Sequence, residues 1–317
     1  MQTILGAGGA IGSELARELT SYTDVVRLVG RNPKRVNPTD ELMKADLLNA
    51  ADVSNAVRGS DVVYLCVGLE YKLSVWQAQW PVVMRNVIDA CAEHHAKLVF
   101  VDNVYMFGAA SVGHMTETTP PAPTSTKGEI RLKIRTMILD AVEAGKIRAI
   151  VARSADFIGP TLTNNGFYEL VYKNLAKGKK AQWFCNADVK HSFTYTPDAA
   201  KGMAMLGNTD DAYNQEWNLP THRDALTGRE WIALTANEMG VASRGIQIVT
   251  PFLLTILGLF ISPLREMKEM MYQYDRDYVF DSTKFNERFG FAPTSPRDAV
   301  IAMVRYARQV ASSTQGG

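Results

Sequence analysis

Seven residues near the start of the chain, Gly6-Ala7-Gly8-Gly9-Ala10-Ile11-Gly12, have the types and spacing to hold a diphosphate. Glycine reaches positive φ without steric penalty, so it permits a tight turn. It also lets main-chain amides approach a charged ligand with no side chain in between. Where such a turn opens a helix, the free N–H groups, those of Ala10 and Ile11 here, add donors and a partial positive charge. Position 11 is Ile, so the pattern G-x-G-x-x-G fails, while G-x-x-G-x-x-G fits at Gly6, Gly9 and Gly12. The chemistry this predicts is dinucleotide binding.

A second segment bears on which dinucleotide. An acidic residue at the end of the second strand of such a unit holds the ribose hydroxyls of NAD. This chain has Val29-Gly30-Arg31-Asn32-Pro33-Lys34-Arg35 there, with no carboxylate. Arg31, aided by Lys34 or Arg35, can reach a 2′-phosphate through charge-assisted hydrogen bonds. The expected cofactor is therefore NADP(H), with NAD(H) as the alternative.

These loops need strands and helices to aim them, and the first half supplies both in alternation. Residues 3–5, 25–29, 61–67, 97–101 and 147–152 read as strands, with a further short strand ending at Ala45. Residues 11–19, 75–94 and 129–143 read as helices, and Asn49 is placed to cap another that turns Val53 and Val57 inward. Repeated strand–helix units of this length predict an α/β fold with a doubly wound parallel sheet of Rossmann type. Beyond Arg153 the alternation weakens. Thr196-Pro197 and Ser295-Pro296 each mark a helix start, the second helix running to about Val310. The expected division is a dinucleotide-binding domain over 1–157 with returning elements at about 186–212, a smaller substrate lobe over 158–185 and 213–310, and a frayed tail over 311–317.

Composition narrows the partners. A formal net charge of +1 with scattered basic residues gives no footprint for nucleic acid. The cysteines, Cys66, Cys91 and Cys185, lack metal-ligand spacing and do not form a disulfide framework. No leader segment is visible, and a reduced cytoplasmic protein is expected. The apolar stretch 246–261 is interrupted by Gln247, Thr250, Pro251, Thr255 and Gly258 and is shorter than a span of about 20 residues. It reads as a strand followed by a buried helix from about Pro251, with no membrane partner.

Taken together, these segments resemble the extended short-chain dehydrogenase/reductases, a group that includes NAD(P)-dependent epimerases and dehydratases. The likeness runs over nearly the whole length. Beyond the glycine loop, Ala45-Asp46-Leu47 resembles the segment whose acid contacts adenine, and Cys66-Val67-Gly68 the strand end beneath the cofactor. The segment from Phe100 to Gly108 is similar to the catalytic-serine strand with its following Tyr-Gly. Thr116-Glu117 and the prolines at 120, 121 and 123 resemble the loop before the active-site helix. The segment from Arg153 to Pro160, with Ala155 and Ile158, resembles the loop that covers nicotinamide; residues 193–200 and Trp217-Asn218 match weaker landmarks.

The resemblance implies a Ser and a Tyr-x-x-x-Lys, and this chain departs from both. Asn103 falls where the Ser should stand, Lys127 at the Tyr and Arg131 at the Lys. The standard catalytic set therefore does not carry over. Three groups remain as candidates. Lys127 can donate or accept a proton, or can contact the ribose or phosphate; Tyr105 can supply a phenol beside Lys127; Asn103 can polarise a carbonyl. His191 and Asp156 are further cleft candidates, although a lone His is more often structural. Trp76 and Trp80 share a helix face and read as core or interface. Phe252, Leu253, Leu257 and Phe260, with Met267, Met270, Met271, Tyr272 and Tyr274, offer an apolar wall and hence a fairly hydrophobic substrate. The function expected is an NADP(H)-dependent oxidoreductase acting on a small or medium organic carbonyl or alkene. A non-catalytic NADP(H)-binding regulator and a nucleotide-sugar epimerase or dehydratase are the alternatives. By analogy of fold, the 75–94 helix is a candidate homodimer contact.

Overall fold

A computed structural model describes residues 1–161, 165–258 and 262–315. The chain forms two compact units. The first comprises Met1–Met106, Pro121–Ser154 and Pro197–Leu219. Six of its strands are β1 (Gln2–Leu5), β2 (Val26–Gly30), β3 (Glu41–Lys44), β4 (Val62–Leu65), β5 (Lys97–Asp102) and β6 (Ala149–Arg153). A seventh, Gln215–Asn218, pairs with β6, and the sheet order from that edge is Gln215–Asn218, β6, β5, β4, β1, β2, β3. Every pairing is parallel. The central strands β1 and β4 are buried at every position, as a sheet covered on both faces requires.

Register decides where the loops open. Leu5 lies opposite both Val29 and Leu65, Leu65 opposite Phe100, and Asp102 opposite Arg153. The residues that follow these strands therefore emerge along one edge of the sheet. The chain runs from β1 outward through β2 and β3 on one side, then returns to place β4 on the other side of β1, so the strand order reverses between β1 and β4. Ligands of open α/β sheets bind outside the carboxyl ends at such a point.

Four of this unit's helices are α1 (Ala10–Leu19), α2 (Ala50–Val57), α3 (Leu73–Glu93) and α4 (Thr126–Glu143); the helix Thr196–Gly207 also belongs to it from Pro197 on. Ile11, Leu15 and Leu19 bury the inner face of α1. Asn49 caps α2 by accepting from the Ala51 and Asp52 N–H groups at 2.9 and 3.2 Å, and Val53 and Val57 are buried, as expected. Helix α4 begins three residues before the predicted start. Ser125 Oγ accepts from Gly128 N–H at 3.1 Å and caps it. Gly128, just before the expected start, is a packing residue: a Cβ there would lie 2.3 Å from the Tyr105 carbonyl oxygen.

The second unit comprises Phe107–Pro120, Ala155–Thr196 and Pro220–Gly317. It holds two parallel strand pairs, Asp156–Ile158 with Phe193–Tyr195 and Ala181–Phe184 with Ile246–Val249. Helix Gly228–Met239 starts with a capping box in which Thr227 and Glu230 bond reciprocally.

The structure departs from the expected layout in five places. Residues 107–120 and 155–157, expected in the dinucleotide-binding domain, belong to the second unit. Residues 213–219 belong to the first unit, because Gln215–Asn218 completes its sheet and Glu216 binds Arg135 of α4 and Arg153 of β6. Residues 186–196 belong to the second unit, since Phe193–Tyr195 pairs there. The helix Pro251–Gly258 is only partly buried: Leu254 is enclosed, but Phe252 is 75% and Ile256 42% exposed. The final helix, Pro296–Gln315, runs past Val310, because the next helix-breaking residues are Gly316 and Gly317. Phe260 and the Leu257 side chain lie outside the described residues. Among the described residues no helix is long and apolar enough to cross a membrane.

Candidate active site

The glycine loop follows β1 and enters α1. Gly6 has φ +90°, and an added Cβ would sit 2.5 Å from the backbone N and Cα of Val67, just beyond β4. Its N–H and that of Ala7 both donate to the Val29 carbonyl, at 2.9 and 3.1 Å. Gly12 packs α1 onto the loop, since a Cβ there would lie 2.8 Å from Ala7 Cα. Gly8 and Gly9 differ: both are exposed, a Cβ on Gly8 meets nothing within 4 Å, and one on Gly9 meets only the Gly6 oxygen, at 3.9 Å. Packing demands glycine at 6 and 12 and leaves open space at 8 and 9. Gly9 caps α1 without a side-chain hydrogen bond, and no acid stands in the first turn. That combination fits an anionic group over the N–H groups of Ala10, Ile11 and Gly12.

Around the loop, the edge of the sheet is basic on one side. Arg31 and Lys34 are exposed just beyond β2 and make no hydrogen bond or ion pair among the described residues. Arg35 is committed to its own turn, donating to the carbonyls of Pro38 and Asp40 at 2.8 and 2.5 Å. Of the three basic residues, two are available to a ligand. Asp46 is exposed beyond β3, and its Oδ1 accepts from the Leu48 N–H at 3.0 Å; Leu47 is buried and its carbonyl accepts from Asn86.

Beyond β4, Cys66 is buried and its N–H bonds the Leu5 carbonyl at 2.8 Å, while Val67 is half-buried and Gly68 exposed. Burial pushes the Cys66 thiol far up and Cys91 up to about 12. Cys185, in the second unit, is raised to about 11 by burial and by the Asp275 carboxylate. All three thiols are therefore protonated at neutral pH. Iodoacetamide should label the native protein slowly at pH 8, at Cys185 first, with a rate rising about tenfold per pH unit through pH 10. Rapid labelling of Cys66 at pH 8, read by mass spectrometry, would contradict that burial.

The catalytic candidates gather where β5 ends. Asn103 Oδ1 accepts from the Tyr105 N–H at 3.0 Å. An N–H can only donate, so this bond fixes the amide orientation and turns the Asn103 Nδ2 donors away from the turn. Tyr105 stacks on Trp76, with centroids 6.1 Å apart and planes at 19°. The first turn of α4 lies against the Tyr105 carbonyl through Gly128, which brings Lys127 to the same place. Lys127 is 1% exposed, and its Nζ lies 4.9 Å from the Tyr71 ring centroid. Tyr71 also meets Trp76 edge-on at 5.6 Å.

Arg131, one turn beyond Lys127, is not free to hold a ribose. It is 4% exposed, its Nε donates to Asp102 Oδ1 at 2.6 Å, and the Nη2 group closes on the same oxygen. Its guanidinium lies 4.5 Å from the Trp80 and 5.0 Å from the Phe100 ring centroids. Asp102 Oδ1 also accepts from the Asn103 N–H at 2.7 Å. One carboxylate oxygen thus ties the Asn103 backbone to the helix that carries Lys127. Among the described residues Asp102 Oδ2 and the indole N–H groups of Trp76 and Trp80 are buried without a hydrogen-bond partner. Asp102 was not singled out from the sequence, although a carboxylate ending an apolar strand was the available signal.

Ala155 and Ile158 are buried in the second unit, the Ala155 N–H bonded to Thr194 Oγ1 at 3.0 Å. His191, 1% exposed, is held at 3.0 Å by Asp156 Oδ2 and stacked between Tyr274 and Tyr278 at 4.5 and 4.4 Å, so it is a structural histidine. Met270 and Met271 are core residues. No cluster of metal-ligating side chains occurs among the described residues.

Comparison with known proteins agrees with this architecture. Residues 3–219 match the NAD dependent epimerase/dehydratase family. A dTDP-6-deoxy-L-talose 4-dehydrogenase (NAD(P)(+)) from Kitasatospora kifunensis is 29% identical over 262 residues, covering 78% of this chain and 82% of that protein. A double mutant of the dTDP-glucose 4,6-dehydratase DesIV from Streptomyces venezuelae, solved with NAD bound, superposes with TM-score 0.79 at 17% identity, over 98% of this chain and 97% of that one. A UDP-glucuronic acid 4-epimerase from Bacillus cereus, in complex with NAD, gives 0.78 at 18% identity, over 98% of each. By the family match over most of its length, this chain belongs to the NAD dependent epimerase/dehydratase family.

Proposed function

We propose that the chain is an NADP(H)-dependent oxidoreductase acting on a small or medium organic carbonyl or alkene, with Lys127 in place of the usual tyrosine. The observation that carries this reading is a buried Lys127 on the first turn of α4, which Gly128 packs against the Tyr105 carbonyl, in the same turn beyond β5 where Asn103 Oδ1 accepts from the Tyr105 N–H. The glycine loop and the α1 N-terminus hold the diphosphate, while Arg31 and Lys34 face the adenosine 2′-phosphate. Asp46, Leu47, Val67 and Gly68 line the path between. A nicotinamide held there would supply or accept the hydride. The chain's own residues handle charge and protons. Asn103 Nδ2 hydrogen-bonds the substrate oxygen, and the Lys127 ammonium gives that oxygen its proton as the carbonyl is reduced. Tyr105 packs on Trp76 and shapes the floor.

Two measurements test this. Lys127→Met should lower NADPH oxidation by a panel of aldehydes and ketones at least ~100-fold, the range of a general acid, while NADPH affinity stays within a few-fold. Loss of affinity with kcat unchanged would make Lys127 a cofactor contact instead. Absence of turnover across the whole panel, with tight NADPH binding, supports the regulatory reading; thermal stabilisation by a dTDP- or UDP-sugar supports the nucleotide-sugar reading, which the named relatives favour. Separately, Arg31→Ala should weaken NADPH at least ~10-fold, the value of one lost charge-assisted contact, and leave NADH nearly unchanged by calorimetry. Equal weakening of both removes the 2′-phosphate assignment.

A further inference from the structure

We propose that Tyr71 is a positioning residue, whose ring holds the Lys127 ammonium in place and screens it from water. This deepens the oxidoreductase reading, and rests on it for calling Lys127 a proton donor. Lys127 Nζ lies 4.9 Å from the Tyr71 ring centroid, within the range of a cation–π attraction. A lysine carries its charge on a flexible four-carbon stem, so burial of the stem does not by itself fix the tip. The ring supplies that second point of attachment.

Three segments of the first unit build this contact. Gly128 seats the first turn of α4 on the Tyr105 carbonyl, which places the root of the Lys127 side chain. The Tyr105 ring stacks on Trp76, in the first turn of α3, and Trp76 meets Tyr71 edge-on, with centroids 5.6 Å apart and planes at 83°. Edge-to-face pairing is a preferred aromatic geometry, so it orients the Tyr71 ring. Trp76 is itself buried, with the Arg131 guanidinium 5.8 Å from its ring centroid. Tyr71, Trp76, Tyr105 and α4 thus form a circuit that closes on the Lys127 ammonium. Tyr71 stands between exposed Glu70 and Lys72, yet it is half-buried, and the charge beneath its ring is enclosed. Withdrawing an ammonium from water is costly, and the negative face of a ring offsets part of that penalty. A residue that only filled space could be any apolar side chain. A residue that holds a cation must keep the ring.

The test compares the full chain with Tyr71→Leu and Tyr71→Phe. Limited acetylation by acetic anhydride, read by peptide mass spectrometry, reports access to Lys127 without any need for turnover. Lys127 should be among the slowest lysines to react in the unmodified chain. Tyr71→Leu should speed it at least ~10-fold, the range of a desolvated cation–π contact, and Tyr71→Phe should keep it slow. A second measurement needs no change at position 71. In the proton–carbon spectrum of the unmodified chain, the Lys127 ε-methylene, identified by its loss in Lys127→Met, should lie upfield of lysines that have no ring neighbour. Equal acetylation in Tyr71→Leu and the unmodified chain, a Tyr71→Phe variant as open as Tyr71→Leu, or an unshifted ε-methylene each overturns the proposal. Turnover then separates the two readings. With the aldehyde that the unmodified chain reduces fastest, Tyr71→Leu should lower kcat at least ~10-fold, part of what a placed general acid contributes, with KM nearly unchanged, and Tyr71→Phe should recover most of it. An unchanged kcat in Tyr71→Leu overturns the positioning role. If acetylation and spectrum behave as expected but no carbonyl is reduced, the hold on Lys127 stands and the oxidoreductase reading alone fails.

Discussion

Gly6→Ala should unfold or strongly destabilise the protein, whereas Gly9→Ala should leave it folded with a weakened hold on the nicotinamide dinucleotide. At Gly6 an added Cβ meets main-chain atoms of Val67 at 2.5 Å, and φ is +90°. Neither partner is a flexible side-chain end that can move aside. Overpacking costs about 1–3 kcal/mol and a strained backbone about 1–3 more, so a loss of roughly 2–6 kcal/mol is expected. At a few degrees per kcal/mol, the melting temperature falls on the order of 10 °C. At Gly9 φ is −85° and ψ 166°, which any residue adopts, and the nearest atom to a new Cβ is 3.9 Å away. The cost there is about 1 kcal/mol or less, for the poorer helix cap. The new methyl group occupies the open space above the helix start, so NADPH affinity should fall at least ~10-fold, equivalent to about 1.4 kcal/mol. Scanning calorimetry and NADPH titration read the two effects separately. If Gly9→Ala binds NADPH as the unmodified chain does, the loop is a packing turn and no phosphate cradle.

The second large effect concerns the ion pair at the end of β5. Asp102→Ala should cost about 3–5 kcal/mol, because it leaves the Arg131 guanidinium buried without its counter-charge. Arg131 is 4% exposed and surrounded by Trp76, Trp80 and Phe100, so water cannot replace the carboxylate. The double variant Asp102→Leu with Arg131→Met should recover most of that loss, since an apolar pair of similar size carries no desolvation penalty. The pair contributes positioning more than stability. Asp102 Oδ1 holds the Asn103 N–H as well as Arg131, and among the described residues Oδ2 has no partner. The stable double variant should therefore be slower with any carbonyl that the unmodified chain reduces, with NADPH affinity kept. Denaturant titration gives the stabilities. A double variant no more stable than Asp102→Ala would show that Asp102 acts by something other than pairing with Arg131.

Much of the first unit was legible in the residues. Continuous apolar runs marked strands buried on both faces, and Ile11, Leu15 and Leu19 marked the inner face of α1. Caps at Asn49 and Ser295 marked helix starts, because a cap is chemistry between neighbours. A helix also starts at Thr196-Pro197 as expected, but among the described residues Thr196 Oγ1 is buried without a hydrogen-bond partner and does not cap it. The departures had non-local causes. Gly128 lies just before the expected helix start at residue 129, yet it sits inside α4, where the Tyr105 carbonyl leaves no room for a Cβ. The strand Gln215–Asn218 joins a sheet whose neighbouring strand lies more than sixty residues earlier, and no local pattern reports such a pairing. Arg131 stood at the position of a ribose-binding lysine by counting, but its partner, Asp102, is twenty-nine residues away on another element.

The sequence by itself determined the order of strands and helices, the glycine turn, and the absence of an acid beyond β2, because each depends on residue type and near-neighbour spacing. The tertiary structure decided which glycines are compelled by packing and which face open space, which basic residues are spent on their own turn, and that His191 is enclosed between two tyrosines. Those outcomes depend on which distant backbone or ring comes to lie beside a residue, and parallel pairing and side-chain burial fix that only once the chain has closed on itself.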